Sequence, residues 1–177
     1  CSNLISVTIP NNVKSIGERT FYRCSSLASV TIGNNVESIG EGAFIDCDGL
    51  TSVVIPNSVK NIGNRAFRDC SGLNSVIIGN SVESIGEGAF YDCSNLISVT
   101  IPNSVMRIGE YAFFDCSGLN SVTIGNSITS ISSYAFAGCS ELTDVYCFAE
   151  GVPSTGTDVF KDSYVEYATL HVPAEAI

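Results

Sequence analysis

Eight cysteines, a recurring aspartate and a single histidine are the residues of this 177-residue chain whose chemistry could go beyond packing. Seven of the thiols, Cys1, Cys24, Cys47, Cys70, Cys93, Cys116 and Cys139, stand 23 residues apart. At that interval they hold equivalent places in successive copies of one unit, pointing the same way and stacked roughly 4.8 Å apart across a parallel ladder. A disulfide needs Cβ vectors directed towards each other. The spacing therefore predicts free, buried thiols that pack as small hydrophobes. Cys147 joins them, because it takes the inward place held by Ile9, Ile32, Ile55, Ile78, Ile101 and Ile124 in earlier units. A zinc site is not expected from one His and no C-x-x-C pair.

Asp46, Asp69, Asp92 and Asp115 each precede a cysteine and form a possible cation column. Calcium needs about six to eight oxygens converging on one point, and one carboxylate per unit does not supply them. Each Asp is expected instead to cap the Cys-Ser-x turn that follows by accepting its backbone N–H groups. A Ser/His/Asp triad requires a histidine, and His171 is alone, projecting outward between the inward Leu170 and Val172. Gly17, Gly40, Gly63, Gly86 and Gly109 come one per unit rather than clustered, which is no phosphate loop. No catalytic, metal or cofactor site is expected, and the chain reads as a non-enzyme.

The elements that must position these residues follow from the same interval. Six full units share C-S-x-L-x-S-V-x-I-(P/G)-N-(N/S)-V-x-S-I-G-x-x-A-F-x-D, and a looser seventh begins at Cys139. A period of roughly 20 to 29 residues with Leu, Val and Ile at fixed offsets is the mark of a leucine-rich repeat solenoid. The expected fold is a right-handed superhelix of 23-residue units with a parallel β-sheet, short second strands and helical turns. Residues 1–162 form the array, and 163–177 read as the start of a C-terminal capping segment that is cut short. In the unit 47–69, Val53 and Ile55 face inward while Ser52 and Val54 face out. Pro56 ends that strand, Asn57 and Ser58 turn the chain, Val59 to Ile62 is extended again, and Ala66 and Phe67 open a turn or short helix. Repetition gives a phenylalanine spine of Phe21, Phe44, Phe67, Phe90, Phe113 and Phe136.

A 46-residue superperiod overlies the 23. The tenth position alternates Pro10, Gly33, Pro56, Gly79, Pro102, Gly125, and the fourteenth runs Lys14, Glu37, Lys60, Glu83 as an alternating charge ladder. The first unit has no polar cap, so Leu4, Val7, Ile9, Val13, Ile16 and Phe21 are expected to form an apolar end capable of end-to-end self-association.

Composition excludes other classes. Lys and Arg number 8 against 18 Asp and Glu, for a net charge of −10. A nucleic-acid binder needs clustered basic residues to displace counterions, and an anionic membrane surface is disfavoured for the same reason. No stretch in this segment reaches the ~18 apolar residues of a membrane span, and no signal sequence is present in it.

What remains for function is the outward strand face. Its two rows are Ser52, Ser75, Ser98, Ser121 and Asp144, and Val54, Ile77, Thr100, Thr123, Tyr146 and His171. The face is nearly neutral, and Asp144, Tyr146 and His171 make its C-terminal edge chemically distinct. The run I-P-N-S-V-x-x-I-G-x-x-A-F-x-D-C-S-x-L-x-S-V, at Ile55–Val76 and again at Ile101–Val122, resembles the BspA-like leucine-rich repeat family of bacterial surface proteins. The resemblance implies an extracellular or cell-surface location and adhesion to host matrix or cell-surface proteins, and it transfers no catalytic residue. A structural stalk without its own ligand and a carbohydrate-binding accessory module are the other readings.

Overall fold

The computed structural model describes residues 1–163 and the strand at 169–171. Each unit closes one coil of a solenoid and lays down a main strand followed by a two-residue strand. The first coil gives β1 (Ser6–Ile9) and β2 (Ser15–Ile16), the second β3 (Ser29–Ile32) and β4 (Ser38–Ile39), the third β5 (Ser52–Val54) and β6 (Asn61–Ile62). The fourth gives β7 (Ser75–Ile77) and β8 (Ser84–Ile85), the fifth β9 (Ser98–Ile101) and β10 (Arg107–Ile108), the sixth β11 (Ser121–Ile124) and β12 (Ser130–Ile131). The seventh gives β13 (Asp144–Cys147) and β14 (Ser154–Thr155), and β15 (Thr169–His171) follows. Every ladder is parallel and joins equivalent residues of adjacent coils, as in Ser52↔Ser75 and Val54↔Ile77. The even strands form one sheet, while the main strands divide into a β1–β3 pair and a continuous sheet from β5 to β15.

Side-chain alternation within each main strand fixes which residues face the core. Val53 and Ile55 are buried and Ser52 and Val54 are exposed, as the spacing predicts. The phenylalanine spine is present and runs one rung further than expected, to Phe160, with successive ring centroids 5.0 to 5.5 Å apart and the rings near parallel. Offset stacking at this distance is the favoured arrangement and adds about 0.5–1.5 kcal/mol per pair beyond burial. Phe160 escapes the 23-residue count because the seventh coil carries one extra residue: Ser130 pairs with Ser154, 24 positions on.

The third side of each coil corrects the expectation of helical turns. Residues 18–23 and their equivalents are turns, and no helix occurs among the described residues. The reason lies in where the amides go. Phe44 N–H donates to Ala66 in the next coil at 2.7 Å, Gly42 to Asn64 at 2.9 Å and Asp46 to Arg68 at 3.0 Å, while the intervening Ala43 and Ile45 bond back three residues. Alternate amides thus serve a third row of coil-to-coil bonds, and no i→i−4 ladder can form. Two residues per turn, such as Arg65 and Asp69, have φ of 55° and 56°, which also stops a helix.

That backbone revises the role of the aspartates. Asp46, Asp69, Asp92 and Asp115 have φ between 52° and 57°, and none of their carboxylates takes the Cys-Ser-x amides, so the expected cap does not form. Asp is suited to the place because its short polar side chain tolerates the left-handed region.

All eight cysteines are free, with Cys24 to Cys139 buried, Cys147 half-buried and Cys1 exposed. The ladder thiols do more than fill space. Cys47, Cys70, Cys93, Cys116 and Cys139 each donate S–H to the carbonyl of the Phe 26 residues earlier, at 3.1 to 3.3 Å. Ser163 continues the row, its Oγ donating to Phe136 O at 2.7 Å.

The proline and glycine superperiod has a steric cause. A Cβ on Gly79 would lie 2.5 Å from Pro56 O and 2.6 Å from Pro56 C, so the coil following a proline coil can carry only glycine there. Asparagines echo it: the N–H groups of Asn34, Asn80 and Asn126 donate to the side chains of Asn11, Asn57 and Asn103 at 2.8 to 3.0 Å. The charge ladder closes once among the described residues, at Lys14–Glu37, 3.1 Å. In the first coil Ile9 and Ile16 are buried, and Leu4, Val7, Val13 and Phe21 are partly buried against the core, so the apolar end is narrower than six open side chains.

Cys93→Ser should keep a donor for Phe67 O and cost less than Cys93→Val, which leaves that buried carbonyl unpaired at about 1–3 kcal/mol. Urea unfolding of the two variants measures the difference. Equal stabilities would show that the thiol acts by volume alone.

Candidate functional site

The structure places the predicted strand-face residues in two straight rows. Ser52, Ser75, Ser98, Ser121 and Asp144 pair in succession, as do Val54 with Ile77, Thr100 with Thr123, and Thr123 with Tyr146. His171 pairs with Tyr146 through the backbone of β15; its side chain lies outside the described residues, as does most of the capping segment. Ser52, Ser75, Ser98 and Thr100 are exposed, whereas Ser121, Thr123, Asp144 and Tyr146 are half-buried. Thr143 Oγ1 donates to Asp144 Oδ2 at 3.0 Å. Along its described length the face carries hydroxyls and apolar groups, with the Asp144 carboxylate at its C-terminal edge.

The middle of the face is the apolar part. Val54 and Ile77 are 56% and 59% exposed where neighbouring coils carry threonine. They border a groove of about 820 Å³ along the C-terminal ends of β3, β5 and β7, with Asn34, Pro56, Asn57 and Asn80 on its other side. A second groove of about 590 Å³ shares Asn80 and continues past Pro102 and Asn126 to Phe148 and Glu150. Phe148 is 49% exposed. Sequence reasoning missed the asparagine row and Phe148. Asn at the eleventh position of six units was a usable signal, although it reads first as turn chemistry. The carboxamides of Asn34 and Asn80 have no hydrogen-bond partner among the described residues.

Cys93, Cys116 and Cys139 are poor candidates for nucleophilic chemistry. Burial raises Cys93 and Cys116 well above the usual thiol range and pushes Cys139 up to about 12, and a protonated buried thiol is inert. Among the described residues no three His, Cys, Asp or Glu side chains converge to hold a metal, and no helix is long and apolar enough to cross a membrane.

A parallel solenoid that presents one long grooved sheet face is the build of a repeat scaffold. The model of the BspA type leucine-rich repeat region matches residues 1–82 and 60–177 in six copies, and the chain belongs to that family. Among solved structures, the T. pallidum leucine-rich repeat protein is 30% identical with a TM-score of 0.86 over 97% of this chain and 79% of its own. A leucine-rich repeat protein from Eubacterium ventriosum is 27% identical with a TM-score of 0.79, covering 90% of this chain and 43% of its own. A leucine-rich cell surface protein from Faecalibacterium prausnitzii is 28% identical with a TM-score of 0.55, over 89% of this chain and 58% of its own. No curated protein matches the sequence.

The aspartate column carries an electrostatic strain. Burial raises the Asp92 carboxyl above its ordinary range, and the neighbouring Asp69 and Asp115 add to this; burial and Asp162 do the same to Asp115. A carboxyl whose folded value is raised destabilises the fold once pH rises through that value, and the penalty disappears below the unfolded value near 4. Asp92→Asn keeps a side chain that tolerates positive φ and removes the charge. It should stabilise the protein at neutral pH by up to about 0.5 kcal/mol, small because the side chain is only partly withdrawn from water and its charge is screened, and lose the gain in acid. Thermal melts at pH 7 and pH 3 test this; a variant less stable at pH 7 would refute it.

Proposed function

We propose that this repeat array is an extracellular binding module of the bacterial cell surface, an adhesin contacting host matrix or cell-surface proteins through its strand face. The observation that carries the reading is the pair Val54 and Ile77, large apolar side chains exposed side by side on a flat sheet and bordering an 820 Å³ groove. Such patches rimmed by polar residues mark interaction sites. An extended sheet spreads contacts over the ~800 Å² per partner that a stable protein interface requires. The kinship with a protein described as a leucine-rich cell surface protein supports the location.

Replacing Val54 and Ile77 together with Asp places charge at the centre of the proposed contact. Binding to immobilised host matrix glycoproteins and intact host cells should fall about 30-fold or more, the loss expected for central hot spots. Stability should change by only about 1 kcal/mol, since both side chains are exposed. Surface plasmon resonance and cell-adhesion counts supply the readouts. Undiminished binding in the double variant removes the strand face as the site, and absence of binding by the unmodified array leaves the stalk as the better account.

A further inference from the structure

The turn side of the first three coils gathers the positive charge of an acidic chain. Lys and Arg total eight, and four of them, Arg19, Arg23, Arg65 and Arg68, line one groove of about 530 Å³ in which the carboxylates are Asp46 and Asp69. The lining carries four positive charges and two negative, with Glu18 and Glu87 at its rim, in a protein of net charge −10. Each guanidinium is steadied by one acid. Arg23 Nε lies 3.1 Å from Asp46, Arg68 Nε 3.1 Å from Asp69, Arg65 Nη2 2.7 Å from Glu87 and Arg19 3.6 Å from Glu18. Arg23 also sits over the Tyr22 ring at 5.1 Å and Arg68 over Tyr91 at 4.5 Å. Their side chains stay 38% to 70% exposed, and a guanidinium has five N–H donors, so most remain available to a ligand. Arginine and tyrosine together are the chemistry of interface hot spots.

We propose that this groove binds an extended, locally acidic segment of a partner protein. Arg19 and Arg65 hold the same position two coils apart, which is roughly 9.6 Å at one strand spacing per coil. Three residues of polyproline II chain rise about 9.3 Å and return to the same face, so carboxylates at every third residue meet successive arginine pairs and can bond them in the bidentate manner that arginine favours. A long uniform polyanion fits less well. Beyond the groove the same turns carry Asp92, Glu110, Asp115, Asp158 and Asp162, which repel a nucleic acid or sulfated polysaccharide running along the coils.

Fluorescence anisotropy of the whole chain with labelled Gly/Ser peptides tests the proposal. One peptide carries Glu at every third residue, a second carries the same number of Glu contiguously, and a third replaces Glu with Lys. The spaced peptide should bind, about tenfold tighter than the contiguous one, weaken steeply with salt, and leave the Lys peptide unbound. Arg65→Gln with Arg68→Gln should weaken it about tenfold. Arg107→Gln, in β10 and outside the groove, should not. Thermal melts establish that the variants are folded, and the peptide register series on the unmodified protein decides the matter if they are not. Equal binding of the spaced and contiguous peptides, heparin binding tighter than either, or no binding would overturn the proposal.

Discussion

Everything in this molecule answers to one constraint: each residue has its own equivalent, 23 positions away, as its neighbour one coil above and below. Whatever occupies a position must therefore tolerate a copy of itself at close to a strand spacing. Aromatic rings do so well, and the phenylalanine spine stacks at 5.0 to 5.5 Å through seven rungs. Small donors do so when a carbonyl is in reach, which is why the thiols bond to the phenylalanine carbonyls of the preceding turn. Carboxylates tolerate it less well: burial, with Asp69 and Asp115 adding to it, raises the Asp92 carboxyl, the cost of keeping a residue that accepts a left-handed backbone.

The 46-residue superperiod is the same constraint solved in pairs. A coil with proline at its tenth position brings its carbonyl so near the next coil that only glycine fits above it. The asparagine bonds then link coils two by two. The repetition is relaxed at a few positions on the outward faces. Val54 and Ile77 replace threonine on the strand face, Arg19 and Arg65 alternate with Gly42 and Gly88 on the turn side, and Phe148 stands at the end of the groove in the coil that has gained a residue.

Much of this was legible in the sequence because a repeat supplies its own alignment. Period, strand polarity, the inward set and the free thiols all follow from spacing and side-chain alternation. The turns did not, because Ala66-Phe67 followed by Arg and Asp reads equally as a short helix or as a turn, and the choice rests on which carbonyl each amide reaches across the coil gap. The aspartate cap failed for the same reason: a local pattern was read where a left-handed φ governs. The turn-side groove was hidden because Arg19, Arg23, Arg65 and Arg68 occupy three different unit positions and converge only once the coils are stacked. Phe160 fell out of phase through a single inserted residue.

The seventh coil also settles what the cysteines are for. With the repeat shifted by one, Ser163 occupies the ladder position, remains buried, and makes the same bond to Phe136 that Cys139 makes to Phe113. A serine that substitutes in place needs neither thiolate nor disulfide chemistry, and burial holds Cys93, Cys116 and Cys139 protonated. The requirement at this position is a small side chain with one proton to give. Cysteine meets it with a larger apolar surface than serine, which suits the interior of the array, while the hydroxyl serves in the divergent last coil. The column of six buried thiols, Cys24 to Cys139, therefore serves to pack the interior.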